Sequence, residues 1–273
     1  MKLSVVISKA DAPVNAFVLW RGFEASIKKA AKMGYDGIEL ALGDADDVCP
    51  EELDTWLEKN GICVSCISTG LTFAQLGLYM THPDPVKREQ LVKIFHGLCD
   101  LAATRGGFLN MGRSRGFVGE GQTRAEAESL FFDTMKKVLP YAQEKGVTIL
   151  IEPINRYESN FINNLDEASA LLAQMESKNA GIMADLFHMN IEDDRIPDSL
   201  IRNRKYIKYI HLADSNRSAP GQGHTDFSAV LDALNVMGYD GWLSVEILPG
   251  SDPDTMAYSA VQYMKSLMQK KRL

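Results

Sequence analysis

The stretch VTILIEPINRYE, residues 147–158, decides how the rest of the chain is interpreted. It begins with an apolar run, which is typical of a parallel strand that is covered on both faces. The run ends at Glu152, directly before Pro153, and proline cannot donate a hydrogen bond to a sheet, so the strand is predicted to stop there. A buried carboxylate is costly unless a positive group meets it. On this stretch alone, pairing of Glu152 with the nearby Arg156 is the simpler explanation.

Three later strand candidates end in the same way. Residues 181–184 precede Asp185, residues 206–210 precede His211, and residues 242–245 precede Glu246. If these strands are parallel neighbours, the polar side chains at their ends converge at one edge of one sheet. Carboxylates cannot share a small dry site without a positive partner. Three carboxylates and one imidazole suit Mn²⁺, Mg²⁺ or Co²⁺, whereas a zinc site usually contains more His or Cys. The four strand ends therefore predict a divalent metal site.

The whole chain alternates strand candidates with helical patterns. Four further strands are predicted in the amino-terminal half of the chain. The segment GYDG at residues 34–37 recurs at residues 238–241, each time between a helix and a strand. Eight βα units in roughly 250 residues are typical of a (β/α)₈ TIM barrel, here predicted as a single domain over residues 1–273. A doubly wound open sheet is the alternative. Neither a G-x-G-x-x-G after the first strand nor a P-loop is present, which disfavours nucleotide-binding variants. The active site of such a barrel lies at the carboxyl ends of the strands, where the four polar residues fall.

Composition excludes several classes of partner. The net charge of −7 disfavours a nucleic-acid or anionic-membrane binder. No apolar run approaches the roughly 20 residues that a membrane span needs, and the first residues lack the apolar segment of a secretory leader. Cys63 and Cys66 lie three apart in a predicted strand, so their side chains should face opposite sides. We therefore expect a cytoplasmic protein with reduced cysteines, no nucleic-acid partner and no membrane partner.

The polar residues also form an ordered set. The set is Glu152-Pro153 with Glu158, Asp185-x-x-His188, His211 with Arg217, and Glu246. This order resembles the xylose isomerase-like TIM barrel superfamily and, within it, the ketose 3-epimerases of the D-tagatose and D-psicose 3-epimerase group. The segment GQGHTDF at residues 221–227 also resembles the G-x-G-x-x-D-[FLW] loop of that superfamily.

The resemblance implies specific roles for these residues. It implies one bound divalent ion, with Mn²⁺ expected and Mg²⁺, Co²⁺ or Zn²⁺ as alternatives. It implies that this ion has four ligands, Glu152, Asp185, His211 and Glu246. It implies that substrate oxygens near the reacting carbons are contacted by Glu158, His188 and Arg217. It further implies a small-molecule sugar as substrate and a homodimer or homotetramer as the assembly.

The implied chemistry is proton abstraction next to a ketone. The resulting enediolate is stabilised by a metal ion that acts as a Lewis acid, and a carboxylate takes the proton. Epimerisation needs proton transfer on both faces of this planar intermediate, and Glu152 and Glu246 are the catalytic candidates. An isomerase needs one base, so aldose–ketose, hydroxypyruvate or inosose isomerase and inosose dehydratase activities are alternatives. An endonuclease IV-type nuclease requires more histidines and a basic face, and five His with a net charge of −7 disfavour it. A non-catalytic sugar-binding barrel is the remaining alternative.

The amino-terminal half departs from the resemblance. The ketose 3-epimerases present aromatic residues at the end of the first strand, whereas this chain has SKA at residues 8–10. Arg113 and Arg115 follow the fourth strand and could bind a phosphate or carboxylate, although solvated loop arginines are the simpler interpretation. Glu39 on the second strand is expected to pair with a neighbouring Lys or Arg.

Overall fold

A closed ring of parallel strands forms the centre of the molecule, as a computed structural model describes it for residues 1–13 and 16–271. Each strand pairs with the next in chain order, and β1 also pairs with β8, which closes the barrel. A two-residue strand, Trp20–Arg21, pairs beside the end of β1. The predicted (β/α)₈ TIM barrel is therefore confirmed. The strands are β1 Lys2–Ser8, β2 Gly37–Ala41, β3 Cys63–Ser68, β4 Phe108–Met111, β5 Thr148–Ile151, β6 Ala180–Asp185, β7 Ile207–Leu212 and β8 Trp242–Val245.

Helices follow the strands and cover the outside of the barrel with apolar faces. Two short helices, α3 and α7, lie directly after β3 and β6 and were not predicted, because seven residues are too few to show a helical period. The helices are α1 Phe23–Met33, α2 Pro50–Asn60, α3 Gly70–Leu76, α4 Pro85–Ala103, α5 Arg124–Glu144, α6 Leu165–Met175, α7 Leu186–Glu192, α8 Ile196–Asn203, α9 Phe227–Val236 and α10 Pro253–Lys271.

The repeated GYDG segment is a helix stop. Gly34 and Gly238 have φ angles of 92° and 66°, a left-handed conformation that glycine adopts without steric cost. In the first copy the Asp36 carboxylate accepts a hydrogen bond of 2.8 Å from the backbone N–H of Leu3. The segment thus ends α1 and ties the next strand to β1.

A packed layer inside the barrel supports the carboxyl ends of the strands. The Tyr209 hydroxyl lies 2.7 Å from the Ser65 Oγ and 3.1 Å from the Ser4 Oγ. Tyr209 and His211 are two residues apart on β7, so both side chains point to the same face, and their rings pack edge to face. His211 therefore packs against a hydrogen-bonded layer of side chains inside the barrel.

The cysteines carry no disulfide among the described residues. The four cysteines are free, and in the C-x-x-C segment Cys63 is exposed while Cys66 is buried. None of the helices within the described ranges is both long enough and apolar enough to cross a membrane.

Candidate active site

The four predicted metal ligands meet at the carboxyl ends of β5 to β8. Glu152, Asp185, His211 and Glu246 each offer one ligand atom, and these atoms all lie within 4.8 Å of one another. The Nδ1 of His211 is 3.2 Å from Glu152 Oε1, 3.6 Å from Asp185 Oδ2 and 3.4 Å from Glu246 Oε2. The predicted convergence of these side chains is therefore present in the fold.

The other ring nitrogen of His211 is already engaged. Nε2 lies 3.0 Å from both carboxylate oxygens of Glu39, and both side chains are fully buried. A carboxylate only accepts hydrogen bonds, so this contact favours the tautomer with the proton on Nε2, in which the lone pair of Nδ1 faces the three other carboxylates. A lone pair among carboxylates in a buried place needs a cation between them. The donor set thus fits a divalent ion of hard or borderline character.

The pKa shifts in the cluster also indicate that it favours an additional positive charge. Burial disfavours the charged form of His211, yet Glu39 and Glu246 raise the pKa of this imidazole well above its usual value. Burial raises the pKa of Glu246 to about 7, even though His211 and Arg217 favour its ionised form. A proton and a divalent cation therefore compete for the same space between these groups.

The expectation that Glu39 pairs with a neighbouring Lys or Arg is wrong. Glu39 lies on β2 with its side chain directed into the barrel, where the nearest partner is His211 on β7. These two strands are not neighbours in the sheet, so the contact spans the barrel interior. The signal that could have found it is the charge itself, because an inward carboxylate flanked by Ile38 and Leu40 needs an internal partner.

Arg217 lies against two of the candidate ligands. Its guanidinium donates from Nη1 to Asp185 Oδ2 at 2.7 Å and from Nη2 to Glu246 Oε2. Burial opposes its charge, but Asp185 and Glu246 raise the pKa of Arg217 above its ordinary value. The Nε atom is buried and has no hydrogen-bond partner within the described residues. One donor of this predicted substrate-binding residue is thus left to a ligand.

The loop that carries Arg217 is held in an uncommon conformation. Arg217 has a φ of 61°, which is rare for a residue other than glycine and is often found at functional sites. The buried carboxylate of Asp214 fixes the loop by accepting backbone N–H bonds at 2.7, 2.9 and 3.0 Å from Ser215, Gly221 and Thr225. The GQGHTDF segment thus folds around Asp214 and sets the direction of Arg217.

His188 and Glu158 are joined through Asn155. The Asn155 Nδ2 lies 2.8 Å from His188 Nδ1 and 3.0 Å from Glu158 Oε1. Asp185 begins α7, because its Oδ1 accepts backbone N–H bonds from Phe187 and His188 at 2.8 and 3.3 Å. Burial lowers the pKa of His188, which keeps the imidazole neutral. Its Nε2 is 4.0 Å from Asp185 Oδ2 and so points towards the ligand cluster.

One cavity joins these groups. It is bordered by both catalytic candidates, Glu152 and Glu246, and by all three predicted substrate-binding residues, Glu158, His188 and Arg217. Apolar residues also line the cavity, among them Pro13, Phe17, Val18, Leu71, Ala74 and Ile154. The lining thus combines charged and apolar side chains, which suits a small polar ligand with some apolar surface.

A comparison with known families now identifies the barrel. The family described as "Xylose isomerase-like TIM barrel" matches residues 27–267. The chain belongs to this family.

Proteins similar to this barrel act on sugars, according to their names. An L-ribulose 3-epimerase from Methylomonas sp. (strain DH-1) is 29% identical over 231 residues, which cover 82% of this chain and 78% of the relative. A 3-dehydro-D-guloside 4-epimerase from Escherichia coli (strain K12) is 32% identical over 126 residues, 46% of this chain and 48% of the relative. The crystal structure of D-psicose 3-epimerase with D-tagatose from Clostridium cellulolyticum H10 has a TM-score of 0.83 at 22% identity, covering 98% of this chain and 99% of that one. The last likeness shows the shared fold.

An aromatic residue that was not predicted from the sequence borders the cavity of this xylose isomerase-like barrel. Phe17 lines the cavity, and its ring lies 4.9 Å from the Arg217 guanidinium. It comes from the loop after β1 and not from residues 8–10, where an aromatic residue was sought. A search limited to the strand end therefore missed it.

Asn110 on β4 is a second residue that sequence reasoning missed. It lines the cavity and donates from Nδ2 to Glu152 Oε2 at 2.9 Å. Its Oδ1 is buried and has no partner in the part of the chain that the structure describes. Gly112 leaves room for the Glu152 carboxylate, since a Cβ at position 112 would lie 3.0 Å from Glu152 Oε2. Asn110 can therefore orient Glu152 and accept one hydrogen bond from a ligand.

The two arginines after β4 differ from each other. Arg115 is fully buried and donates to the carbonyl oxygens of Gly112, Phe161 and Ile162, with its shortest bond 2.6 Å to Phe161. Its interpretation as a solvated loop arginine is therefore wrong, because the loop after β5 offers it several inward carbonyls. Burial lowers the pKa of Arg115 to about 10. Arg113 is exposed, as expected, but it lines the cavity.

Proposed function

We propose that this protein is a divalent-metal-dependent sugar epimerase of the ketose 3-epimerase type. The observation that carries the proposal is the pair of carboxylates Glu152 and Glu246, which border one cavity and flank the Nδ1 of His211. They follow β5 and β8, which have two other strands between them, so they approach the cavity from different directions. The names of the similar proteins, L-ribulose 3-epimerase and D-psicose 3-epimerase, support the same activity.

The two glutamates would exchange protons at the carbon next to the substrate carbonyl. One carboxylate removes the proton from one face of the sugar, and the other returns a proton to the opposite face, which inverts the carbon. A bound divalent ion would supply Lewis-acid polarisation of the carbonyl. Asn110 holds Glu152 in place through a 2.9 Å hydrogen bond, so this base keeps a fixed direction.

The remaining polar residues would bind the hydroxyl groups of the sugar. Glu158 can accept from a hydroxyl, the neutral His188 presents its Nε2, and Arg217 offers its unpartnered Nε. Asn155 fixes His188 and Glu158 relative to each other. Phe17 and Leu71 add apolar surface to the lining of the cavity and would limit the access of water.

Mn²⁺ is the ion that we propose, with Mg²⁺, Co²⁺ and Zn²⁺ as alternatives. Three carboxylates and one imidazole match the preference of Mn²⁺ for mixed oxygen and nitrogen ligands. We also propose that the protein acts in the cytoplasm, which suits its four free cysteines. A homodimer or homotetramer is proposed from the family resemblance, and light scattering would measure the mass.

An isomerase that uses the same site is the second candidate. A single glutamate would suffice for it, as for an aldose–ketose or hydroxypyruvate isomerase. The E. coli relative named 3-dehydro-D-guloside 4-epimerase favours a further variant, in which the inverted carbon lies elsewhere on the sugar. These alternatives would share the cavity and the metal and would differ in which carbon loses the proton and which carbon receives it.

Deuterium exchange tests the proposal. The protein would be stripped with a chelator, reloaded with Mn²⁺ and incubated in D₂O with ketoses, ketose phosphates and hydroxypyruvate, and NMR would follow each carbon. Metal-dependent exchange with inversion at C3 is the expected result, whereas migration of the carbonyl would identify an isomerase. Exchange that persists after chelation, or that is absent from every compound, would contradict the proposal.

A further inference from the structure

Arg113 is a cavity residue that the proposed reaction does not use. It begins the short helical turn Arg113–Arg115 after β4 and lines the cavity together with Glu158 and Glu246. Its guanidinium lies 4.7 Å from the centre of the Phe73 ring, which belongs to α3. The same helix contributes Leu71 to the cavity wall. Arg113 therefore borders the cavity with its guanidinium packed on the helix that also supplies Leu71.

The guanidinium of Arg113 is free to bind an anion. Within residues 1–13 and 16–271 it has no carboxylate partner, and its contact is the face of Phe73. Other basic residues on loops that contribute to the cavity are engaged. Arg217 is bound to two carboxylates, Lys9 donates to Asp47 at 2.7 Å, and Arg156 donates to Glu192 at 2.9 and 2.8 Å. Arg113 thus differs from them by keeping its hydrogen-bonding edges open.

The packing of Arg113 on Phe73 prepares its guanidinium to bind an anion. An arginine that packs flat on an aromatic ring keeps its N–H edge available, and that edge matches a carboxylate or phosphate in a bidentate geometry. The stacking also restricts the side chain before binding, so less conformational entropy is lost on binding. An anion would otherwise be repelled by Glu152, Glu158 and Glu246, which line the same cavity.

We infer that the substrate of this site carries an anionic group, a carboxylate or a phosphate, at the end remote from the reacting carbon, and that Arg113 binds it. The inference rests on the proposed function and deepens it from a sugar to an acidic sugar. Glu152 and Glu246, which would act at the reacting carbon, and Arg113, which would bind the anionic group, border the same cavity.

The test compares three matched substrates with four proteins. The substrates are a neutral 2-ketohexose, its 6-phosphate and its 6-carboxylate. The proteins are wild type, Arg113→Met, Arg113→Lys and the control Arg195→Met, which removes an exposed arginine paired with Asp198 on α8. Metal-loaded protein is assayed for deuterium exchange in D₂O, and kcat and KM are measured for each pair.

The expected result is a wild-type kcat/KM for one anionic substrate that exceeds that for the neutral ketose by about tenfold or more, as a charge-assisted hydrogen bond provides. Arg113→Met should reduce this ratio by about tenfold, mainly through KM, Arg113→Lys should retain part of it, and Arg195→Met should retain all of it. The preferred anion then distinguishes a sugar phosphate from a sugar acid.

Two results would overturn the inference in different ways. An equal or greater kcat/KM for the neutral ketose, or a ratio that Arg113→Met leaves unchanged, overturns the inference and leaves the proposed function standing. Absence of metal-dependent exchange on all three substrates overturns the proposed function and the inference with it.

Discussion

Glu39 accepts a hydrogen bond from Nε2 of His211, with both of its carboxylate oxygens 3.0 Å away, across the interior of the barrel. This contact fixes the tautomer of His211 and directs the lone pair of Nδ1 at the three carboxylates of the candidate metal site. Glu39 is therefore placed to orient His211 towards a metal ion at the candidate site.

Replacement of Glu39 is expected to weaken metal binding while the barrel remains folded. Glu39→Leu should lower Mn²⁺ affinity by about 10- to 100-fold, the usual effect of removing such a partner. Glu39→Gln should lose less, because its amide oxygen can still accept from Nε2. Isothermal titration calorimetry, with Mn²⁺ added to protein stripped by a chelator, measures the affinity, and circular dichroism checks the fold. Glu144→Gln on the exposed face of α5 is the control. Unchanged affinity in folded Glu39→Leu would show that Glu39 does not hold the tautomer.

Glu246→Gln is expected to abolish turnover without unfolding the protein. The amide cannot take a proton and is a weaker metal ligand, so the exchange rate should fall by at least about 100-fold, a typical contribution of a general base. The carboxamide keeps the size of the side chain beside Arg217. Deuterium exchange measures the rate, and thermal unfolding confirms the fold. A rate near that of wild type on the true substrate would refute the assignment of Glu246 as base and ligand.

Arg115 and Arg113 form a matched pair for stability. Arg115→Met would leave the carbonyl oxygens of Phe161, Ile162 and Gly112 without their donor in a buried place. The free energy of unfolding should fall by about 2–4 kcal/mol. Arg113→Met removes an exposed side chain and should change it by less than about 0.5 kcal/mol. Urea unfolding measures both variants, and equal losses would contradict the structural role of Arg115.

Asp193 makes stability depend on pH. Burial raises the pKa of Asp193 to about 6, and its Oδ2 has no partner among the described residues, while Oδ1 accepts from Ser199. The folded state thus binds this proton more tightly than the unfolded state. The stabilisation is complete below the ordinary carboxyl pKa near 4 and is lost as pH rises through about 6.

Asp193→Asn should therefore stabilise the protein at neutral pH. The amide carries no charge to desolvate and can still accept from Ser199, so the gain above pH 7 should be about 1–2 kcal/mol and should vanish near pH 4. Urea unfolding between pH 4 and pH 8 checks the trend, with exposed Asp194→Asn as the control. A gain that does not change with pH would rule out titration of Asp193 as the cause.

The strand-end residues were predictable because a parallel barrel brings successive strand ends to one rim. Glu152, Asp185, His211 and Glu246 needed only the strand boundaries and the cost of burying like charges. The contact between Glu39 and His211 joins residues 172 positions apart, and no periodicity in the sequence encodes such a pairing.

Arg115 and α7 show two other reasons why part of the structure could not be predicted. Arg115 is buried because the loop after β5 turns its Phe161 and Ile162 carbonyls inward, a feature of the folded loop and not of the residues near Arg115. Helix α7 is short, but Asp185 is a residue type that favours helix starts, so a cap at this strand end could have been anticipated.

The division of the cavity between the two halves of the chain has an evolutionary consequence. All four candidate ligands lie at the carboxyl ends of β5 to β8, whereas Phe17, Leu71 and Arg113 come from segments after β1, β3 and β4. Mutations in those three segments can therefore alter which sugar is accepted without disturbing the candidate ligands. A lineage built in this way can exchange substrates while it keeps its reaction, and a directed-evolution library confined to those segments would follow the same route.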